Sequence, residues 1–110
     1  MKVPNSERAI IAAAKLADYL LNAAHKRGGP KARLLLSVGY RGDDPLRLES
    51  DLRRQHLSLD VTRTSVNPYG IVYEIEAPIQ TPSGRTVRFC SIWQVDAGTE
   101  LPRFITMYPR

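Results

Sequence analysis

The segment around His25 brings together residue types that suit metal-free cleavage of RNA. Residues 25–33 read HKRGGPKAR, an imidazole beside a glycine-broken run of cations. In this chemistry the ribose 2′-hydroxyl attacks its own phosphate, so a protein supplies a base, an acid and cations for the developing charge. We expect His25 to transfer a proton, because an imidazole titrates near neutrality. Lys31 and Arg33, at the start of a helix, are expected to stabilise the phosphate.

Charge is concentrated in the same segment. The formal net charge of +5 is carried entirely by residues 19–42, which contain no acidic side chain. The cations of this segment are Lys26, Arg27, Lys31, Arg33 and Arg41. Such a surface favours an anionic partner, and we expect Lys26 and Arg27 to bind substrate phosphates. A basic helix–helix turn without function explains the pattern equally well, and the residues alone leave both interpretations open.

Hydroxyl and aromatic side chains in the second half could complete such a site. Thr106 and Tyr108 are two residues apart in a predicted strand and so share one face. We expect both to position the phosphate, with Tyr108 also able to take part in proton transfer. Ser91 and Trp93 are expected to bind substrate, since aromatic rings stack on unpaired bases. A core position for Trp93 is the alternative.

Three helices are predicted in the first half to hold the basic segment in place. The first lies within Ser6–Leu21, although Ala9–Ile11 is also compatible with a short strand. Pro30 suits the first turn of a second helix that begins at Lys31 and ends near Val38 and Gly39. Asp43-Asp44-Pro45 resembles an N-terminal cap for a third helix, from Leu46 to about His56.

After His56 the hydrophobic period changes from helical to alternating. Leu57, Leu59 and Val61 predict a first strand, and three further runs lie at about 71–79, 87–95 and 103–108. Short turns separate these last three runs from one another and from the first. The sequence therefore predicts one α+β domain over residues 1–110, with helices (about 6–56) packed on a four-stranded antiparallel sheet (about 57–108).

Composition limits the other classes of function. The two histidines are far apart and Cys90 is the single cysteine, so neither a metal site nor a cofactor is expected. One cysteine also fits a reducing compartment. Without a signal-peptide pattern or a long apolar run, we expect a cytoplasmic protein that does not enter the membrane. A basic amphipathic helix for membrane binding is missing too, which favours nucleic acid as the anion.

Several segments, in this order, resemble an uncharacterised bacterial domain family of similar length. They are Pro4–Ala9, Lys15–Leu21, His25–Gly28 with Lys31–Arg33, Tyr69–Gly70, Thr81–Arg85, Ser91–Trp93 and Pro102–Pro109. That family is similar to the barnase, EndoU, colicin and RelE-like (BECR) ribonucleases. The resemblance implies helices on a four-stranded antiparallel sheet, and a cleft lined by His25, Lys31, Thr106 and Tyr108.

The BECR resemblance also implies a function. Members of that group are metal-independent endoribonuclease toxins held in check by an antitoxin or immunity protein, so we expect RNA and a small acidic partner protein. Two alternatives stay open at the level of sequence. One is a basic module that binds RNA or protein without catalysis, and the other is a phage-associated accessory domain.

Overall fold

The N-terminal segment is divided into short pieces instead of forming one helix. In the computed structural model, which describes residues 1–27 and 29–110, a 3-10 turn covers Ser6–Arg8 and is followed by extended chain. Ile10 in that extended chain forms a parallel bridge with Arg103, which confirms the alternative of a strand-like Ala9–Ile11. Helix α1 (Ala13–Lys15) then continues directly as a π-helix over Leu16–Leu20.

The second and third helices lie close to their predicted positions. Helix α2 covers Gly29–Ser37, and the predicted glycine break at Gly28 lies outside the described residues. Gly39 ends α2 with a φ of 103°, and Tyr40 N donates to Leu35 O at 3.1 Å, the arrangement of a Schellman motif. Helix α3 covers Pro45–Gln55, with Pro45 in its first turn. Asp44 occupies the N-cap position without a side-chain capping bond.

Four antiparallel strands form one sheet in the order β1-β2-β3-β4. They are β1 (Arg63–Asn67), β2 (Gly70–Gln80), β3 (Thr86–Asp96) and β4 (Arg103–Pro109). The predicted α+β class and the four-stranded antiparallel sheet are confirmed.

The predicted position of the first strand is wrong. Leu57 is buried, but it lies in the turn after α3, and Leu59 is 40% exposed. The strand itself is Arg63–Asn67, a polar edge strand whose first four residues are all exposed. Because it faces solvent, it lacks the apolar alternation by which a half-buried strand is recognised. The sheet therefore begins at Arg63 instead of at residue 57.

One face of the sheet packs against the helices and forms the core. Its strand residues include Tyr73, Ile75, Ile79, Phe89, Trp93, Phe104 and Met107, all buried. His56 follows α3 and joins this face through two hydrogen bonds: Nε2 donates to Ala77 O at 3.0 Å, and Nδ1 accepts from the Ser91 hydroxyl at 2.7 Å, as a neutral imidazole does. Cys90 lies in β3 and is buried as well, although it is on the opposite side of the sheet.

A β-bulge decides which residues of β4 face the core. Trp93 pairs with Phe104, but the preceding Ile92 pairs with Thr106, so Ile105 is the extra residue. The alternation of β4 therefore reverses at the bulge. Phe104 points to the core and contacts Trp93 edge-on, with ring centroids 5.2 Å apart. Thr106 lies on the opposite, polar face.

We call that surface the polar face. Its residues lie on the three strands β2, β3 and β4 and are paired across them: Glu74, Glu76, Arg88, Cys90, Ile92, Thr106 and Tyr108.

Candidate functional site

The first contact of the site joins the start of α2 to the last strand. Lys31 lies in the first turn of α2, where Pro30 is compatible with helix initiation. Its Nζ donates a hydrogen bond of 3.1 Å to Thr106 Oγ1 on β4. Both side chains are half-buried, so the ammonium is held in place and still borders solvent. Two residues predicted separately from the helical and strand halves are thus in direct contact.

His25 reaches the same region through Tyr19. The Tyr19 and His25 rings meet edge to face, with centroids 4.8 Å apart and an interplanar angle of 78°. Lys31 Nζ lies 5.7 Å from the centroid of the same Tyr19 ring. His25 is further held by its own loop, because its Nδ1 accepts a hydrogen bond of 3.1 Å from the backbone N–H of Arg27. The Tyr19 ring therefore contacts both the imidazole and the ammonium.

The cations around this contact are not neutralised by neighbouring carboxylates. Within residues 1–27 and 29–110, none of Lys26, Arg27, Lys31 and Arg33 forms an ion pair. Lys26, Arg27 and Arg33 are also exposed. Arg41, the fifth cation of the basic segment, differs, since it pairs with Asp43 at 2.8 Å. Four of the five cations of residues 19–42 thus have no carboxylate partner among the described residues.

Tyr108 lies on the polar face beside Thr106 and belongs to a second small cluster. It lies opposite Cys90 in the register of β3 and β4, and the Cys90 thiol donates to Glu74 Oε1 at 3.7 Å. The Arg110 guanidinium lies 5.5 Å from the Tyr108 ring centroid. The hydrogen bond with Cys90, and then partial burial, raise the pKa of the Tyr108 phenol. Tyr108 therefore stays protonated at neutral pH and offers a hydroxyl donor instead of a phenolate.

Burial raises the pKa of the Cys90 thiol, and the negative charge of Glu74 raises it further. A thiol that stays protonated is a weak nucleophile. Cys90 and Glu74 support the position of the Tyr108 hydroxyl, and neither was predicted from the sequence. Strand alternation was the available signal, because Glu74, Cys90 and Tyr108 all lie on the polar face.

Two predicted substrate-binding residues lie elsewhere. Ser91 and Trp93 are both 0% exposed, on the face that packs against the helices. Trp93 Nε1 donates to Ser91 Oγ at 2.9 Å, and Ser91 Oγ is in turn bonded to His56. These side chains satisfy one another inside the core and do not reach a substrate. The prediction that they bind substrate is corrected accordingly, in favour of the core alternative for Trp93.

The candidate site thus joins an imidazole, an ammonium and the Thr106 hydroxyl through direct contacts, with three exposed cations in the same segment and the Tyr108 hydroxyl on the same strand face, and this set of groups suits an anion of phosphodiester type. Tyr19 contacts both His25 and Lys31, but the sequence did not single it out. In a partly apolar helix, the spacing of hydrophobic residues does not distinguish a functional tyrosine from one that only packs.

Among the described residues, no group of three or more histidine, cysteine, aspartate or glutamate side chains is arranged to hold a metal ion. The helices described are all too short or too polar to cross a membrane.

Comparison with known proteins adds a family and a fold. A family model described as a domain of unknown function, DUF6883, matches residues 2–110, and the chain belongs to this family. A solved structure of a contact-dependent growth inhibition toxin–immunity protein complex from Klebsiella pneumoniae 342 contains a similar chain. The TM-score is 0.65 at 19% identity, over 93% of this chain and 100% of that one. No curated protein sequence matches.

Proposed function

We propose that this DUF6883 protein is a toxin domain that cleaves RNA without a metal ion and is controlled by an immunity protein or antitoxin. The observation that carries the proposal is the hydrogen bond from Lys31 to Thr106, with His25 held beside the same ammonium through Tyr19. Residues far apart in the chain meet at one surface that is rich in unpaired positive charge. The fold shared with a chain of a toxin–immunity complex adds support.

Each residue has a role in the proposed reaction. The 2′-hydroxyl oxygen forms a bond to phosphorus while the bond to the 5′-oxygen breaks, which leaves a 2′,3′-cyclic phosphate and a 5′-hydroxyl. His25 transfers one proton, either accepting the one lost by the 2′-hydroxyl or donating one to the departing 5′-oxygen, and the Tyr108 hydroxyl or water exchanges the other. Lys31 and Arg33 stabilise the charge that develops on the phosphorane. Thr106 and the protonated Tyr108 orient the phosphate oxygens.

Charge supports a toxin role over an immunity role. The complex contains both kinds of protein, and similarity of fold does not distinguish them. This chain has a net charge of +5, and Lys26, Arg27 and Arg33, which are exposed and form no ion pair among the described residues, belong to the same segment as His25 and Lys31. A protein that covers a cationic nuclease site needs the opposite charge, because complementary potentials speed association and exclude wrong partners. We therefore propose that this chain is the cationic member and that its partner is acidic.

The test is RNA cleavage by the purified protein, freed of any partner, in the presence of EDTA. We expect cleavage of single-stranded RNA with 2′,3′-cyclic phosphate ends, and no cleavage where a 2′-deoxynucleotide replaces the attacked position. His25→Gln is expected to reduce the rate by about 10²- to 10⁴-fold. Thermal unfolding of the variant checks that the fold is retained.

The alternative function would give a different result. If the wild-type protein binds RNA with strong salt dependence and leaves every RNA intact, the basic binding module replaces the nuclease. If it neither binds nor cleaves RNA, the proposed function is rejected in both forms.

A further inference from the structure

We infer that Tyr19 is a positioning residue of the site, holding His25 and Lys31 in their working geometry through its ring. This inference rests on the proposed function, because it assigns a role within the same site. Its basis is the pair of contacts described above, the edge-to-face contact with His25 at 4.8 Å and the ammonium of Lys31 at 5.7 Å from the ring centroid.

An aromatic ring suits this place because it attracts a cation without neutralising it. The Lys31 ammonium has a hydrogen bond to the neutral Thr106 hydroxyl and an aromatic face nearby, and no carboxylate of the described residues pairs with it. A carboxylate here would compete directly with a phosphate for the ammonium. The ring's negative face instead holds the cation by its quadrupole and leaves the full positive charge for a bound anion.

His25 lies on a loop, so its position depends on contacts from outside the loop. The backbone N–H of His25 donates to Asn22 O at 3.1 Å, and its Nδ1 accepts from Arg27 N–H. Both of these partners belong to the same loop, while the backbone carbonyl of His25 accepts a hydrogen bond of 2.8 Å from Gly29 N at the start of α2. Tyr19 belongs to the preceding helix and ties the imidazole to the body of the protein.

The π-helix explains why Tyr19 is itself well fixed. Leu21 N donates to Leu16 O at 2.8 Å, a bond across five residues that widens the turn. Leu16 and Leu20 are both 0% exposed and Leu21 is 4% exposed, so three leucines on this turn reach the core together. Tyr19 is left at the half-buried edge, facing the site. Single π turns within helices occur frequently at functional sites.

The kinetic test compares two substitutions of one side chain. Tyr19→Leu keeps bulk but removes the ring, and Tyr19→Phe removes only the hydroxyl. For Tyr19→Leu we expect kcat for RNA cleavage to fall by about 10- to 100-fold with KM nearly unchanged, since the cations remain but the reacting groups are less well placed. Tyr19→Phe is expected to stay within about threefold of wild type, because it retains both ring contacts. Tyr69→Leu, at a turn residue that is 72% exposed, is the matched control.

A spectroscopic test does not depend on activity. Nuclear Overhauser contacts between the ring protons of residue 19 and those of His25 are expected in wild type and in Tyr19→Phe. In Tyr19→Leu the His25 ring resonances are expected to move, because the ring current is removed. Unchanged His25 resonances in Tyr19→Leu would overturn the inference, and so would an activity loss in Tyr19→Phe as large as that in Tyr19→Leu.

The two proposals fail in different ways. If wild-type protein does not cleave RNA, the proposed function fails, and the spectra still decide whether Tyr19 holds His25. If wild type cleaves RNA and Tyr19→Leu is fully active, the function stands and the role of Tyr19 is rejected. If Tyr19→Leu does not fold, Tyr19→Met replaces it as the variant without a ring. The expectation that Tyr19→Phe keeps nearly wild-type activity is unchanged.

Discussion

Lys31 Nζ and Thr106 Oγ1 are 3.1 Å apart although 75 residues separate them in the chain. The contact joins the first turn of α2 to the strand β4, and therefore the basic segment to the polar face of the sheet. A lysine that packed only for solubility would extend into solvent, whereas this one is half-buried and directed at a hydroxyl. In the proposed function, this pair is where a bound phosphate meets both halves of the fold.

Removing the Lys31 ammonium is expected to abolish most activity while preserving the fold. Lys31→Ala should reduce kcat/KM for RNA cleavage by about 10²- to 10³-fold, the usual cost of losing one donor to a developing anion. Stability should change by less than about 1 kcal/mol, because the side chain is half-buried and its one hydrogen bond is to a neutral hydroxyl. Urea unfolding and steady-state kinetics measure the two quantities.

Lys2→Ala is the matched control for Lys31→Ala. It removes the same charge from the exposed N-terminal segment, near the β1 side of the sheet. It should leave cleavage within about twofold of wild type, because a distant surface charge is largely screened by salt. Equal losses in the two variants would mean that Lys31 contributes only net charge.

RNA binding is expected to weaken steeply with salt. If Lys26, Arg27, Lys31 and Arg33 all contact phosphates, the slope of log K against log salt should be roughly −3 for a single strand. Arg33→Ala should reduce the magnitude of this slope by about one contact. Fluorescence anisotropy with a 2′-deoxy-substituted oligonucleotide measures binding without cleavage.

Arg88→Ala tests whether the salt effect belongs to the unpaired cations. Arg88 pairs with Glu76, with N–O distances of 3.3 Å, and shares this carboxylate with Arg110 at 2.9 Å, so its charge is only partly available for an anion. Its removal should leave the slope unchanged. A slope that falls as much in Arg88→Ala as in Arg33→Ala would argue against a localised binding surface.

Protonation of the buried His56 is expected to destabilise the protein in mild acid. Burial lowers the pKa of His56, and the ring is already bonded to Ser91 and Ala77 as a neutral imidazole. Below the unfolded-state pKa of about 6.5, the unfolded chain therefore binds more protons than the folded one. The free energy of unfolding should thus be highest above that pH and fall below it, by up to about 1.4 kcal/mol per pH unit.

His56→Gln isolates this effect. The amide keeps a donor and an acceptor but does not titrate, so the variant should be less stable and nearly independent of pH between about 5 and 6.5. Acidic groups such as Asp96, whose pKa is lowered by the Arg103 guanidinium, lose their contribution only at lower pH. Urea unfolding at several pH values gives both curves, and parallel curves would rule out His56 as the cause.

A side chain at Gly29, the first residue of α2, is expected to lower both stability and activity. A Cβ at Gly29 would lie 2.8 Å from the carbonyl oxygen of Ala23, which is backbone and has little freedom to move. Gly29→Ala should therefore cost about 1–3 kcal/mol of stability, as other overpacked sites do. It should also lower cleavage activity, because Gly29 N donates to His25 O at 2.8 Å and a displaced Gly29 would move His25.

Gly42→Ala provides the comparison for Gly29→Ala. Its Cβ would lie 3.4 Å from Leu21 O, an ordinary contact distance. We expect it to change the melting temperature and the activity only slightly. If both alanine variants behave alike, close backbone approach at Gly29 is not important for the site.

Local chemistry is what made much of the fold predictable. Pro30 and Gly39 bracket α2, Pro45 begins α3, and the alternation in β2 and β3 follows from burial of one face. Each of these signals depends on a residue and its near neighbours. The edge strand β1 was misplaced because its polar, exposed residues show no apolar alternation. Only their pairing with β2 makes them a strand, and that pairing is not a local signal.

The sequence by itself determined the excess charge around His25, the α+β class and the shared face of Thr106 and Tyr108. Tertiary structure alone decided which polar residues meet. Strand alternation would place Phe104 on the same face as Thr106, and the bulge after Ile92 separates them, sending the ring to the core and the hydroxyl to Lys31. Likewise, only the fold hides Ser91 against His56 and brings Tyr19 into contact with both His25 and Lys31. These contacts depend on packing between distant segments, for which local periodicity carries no signal.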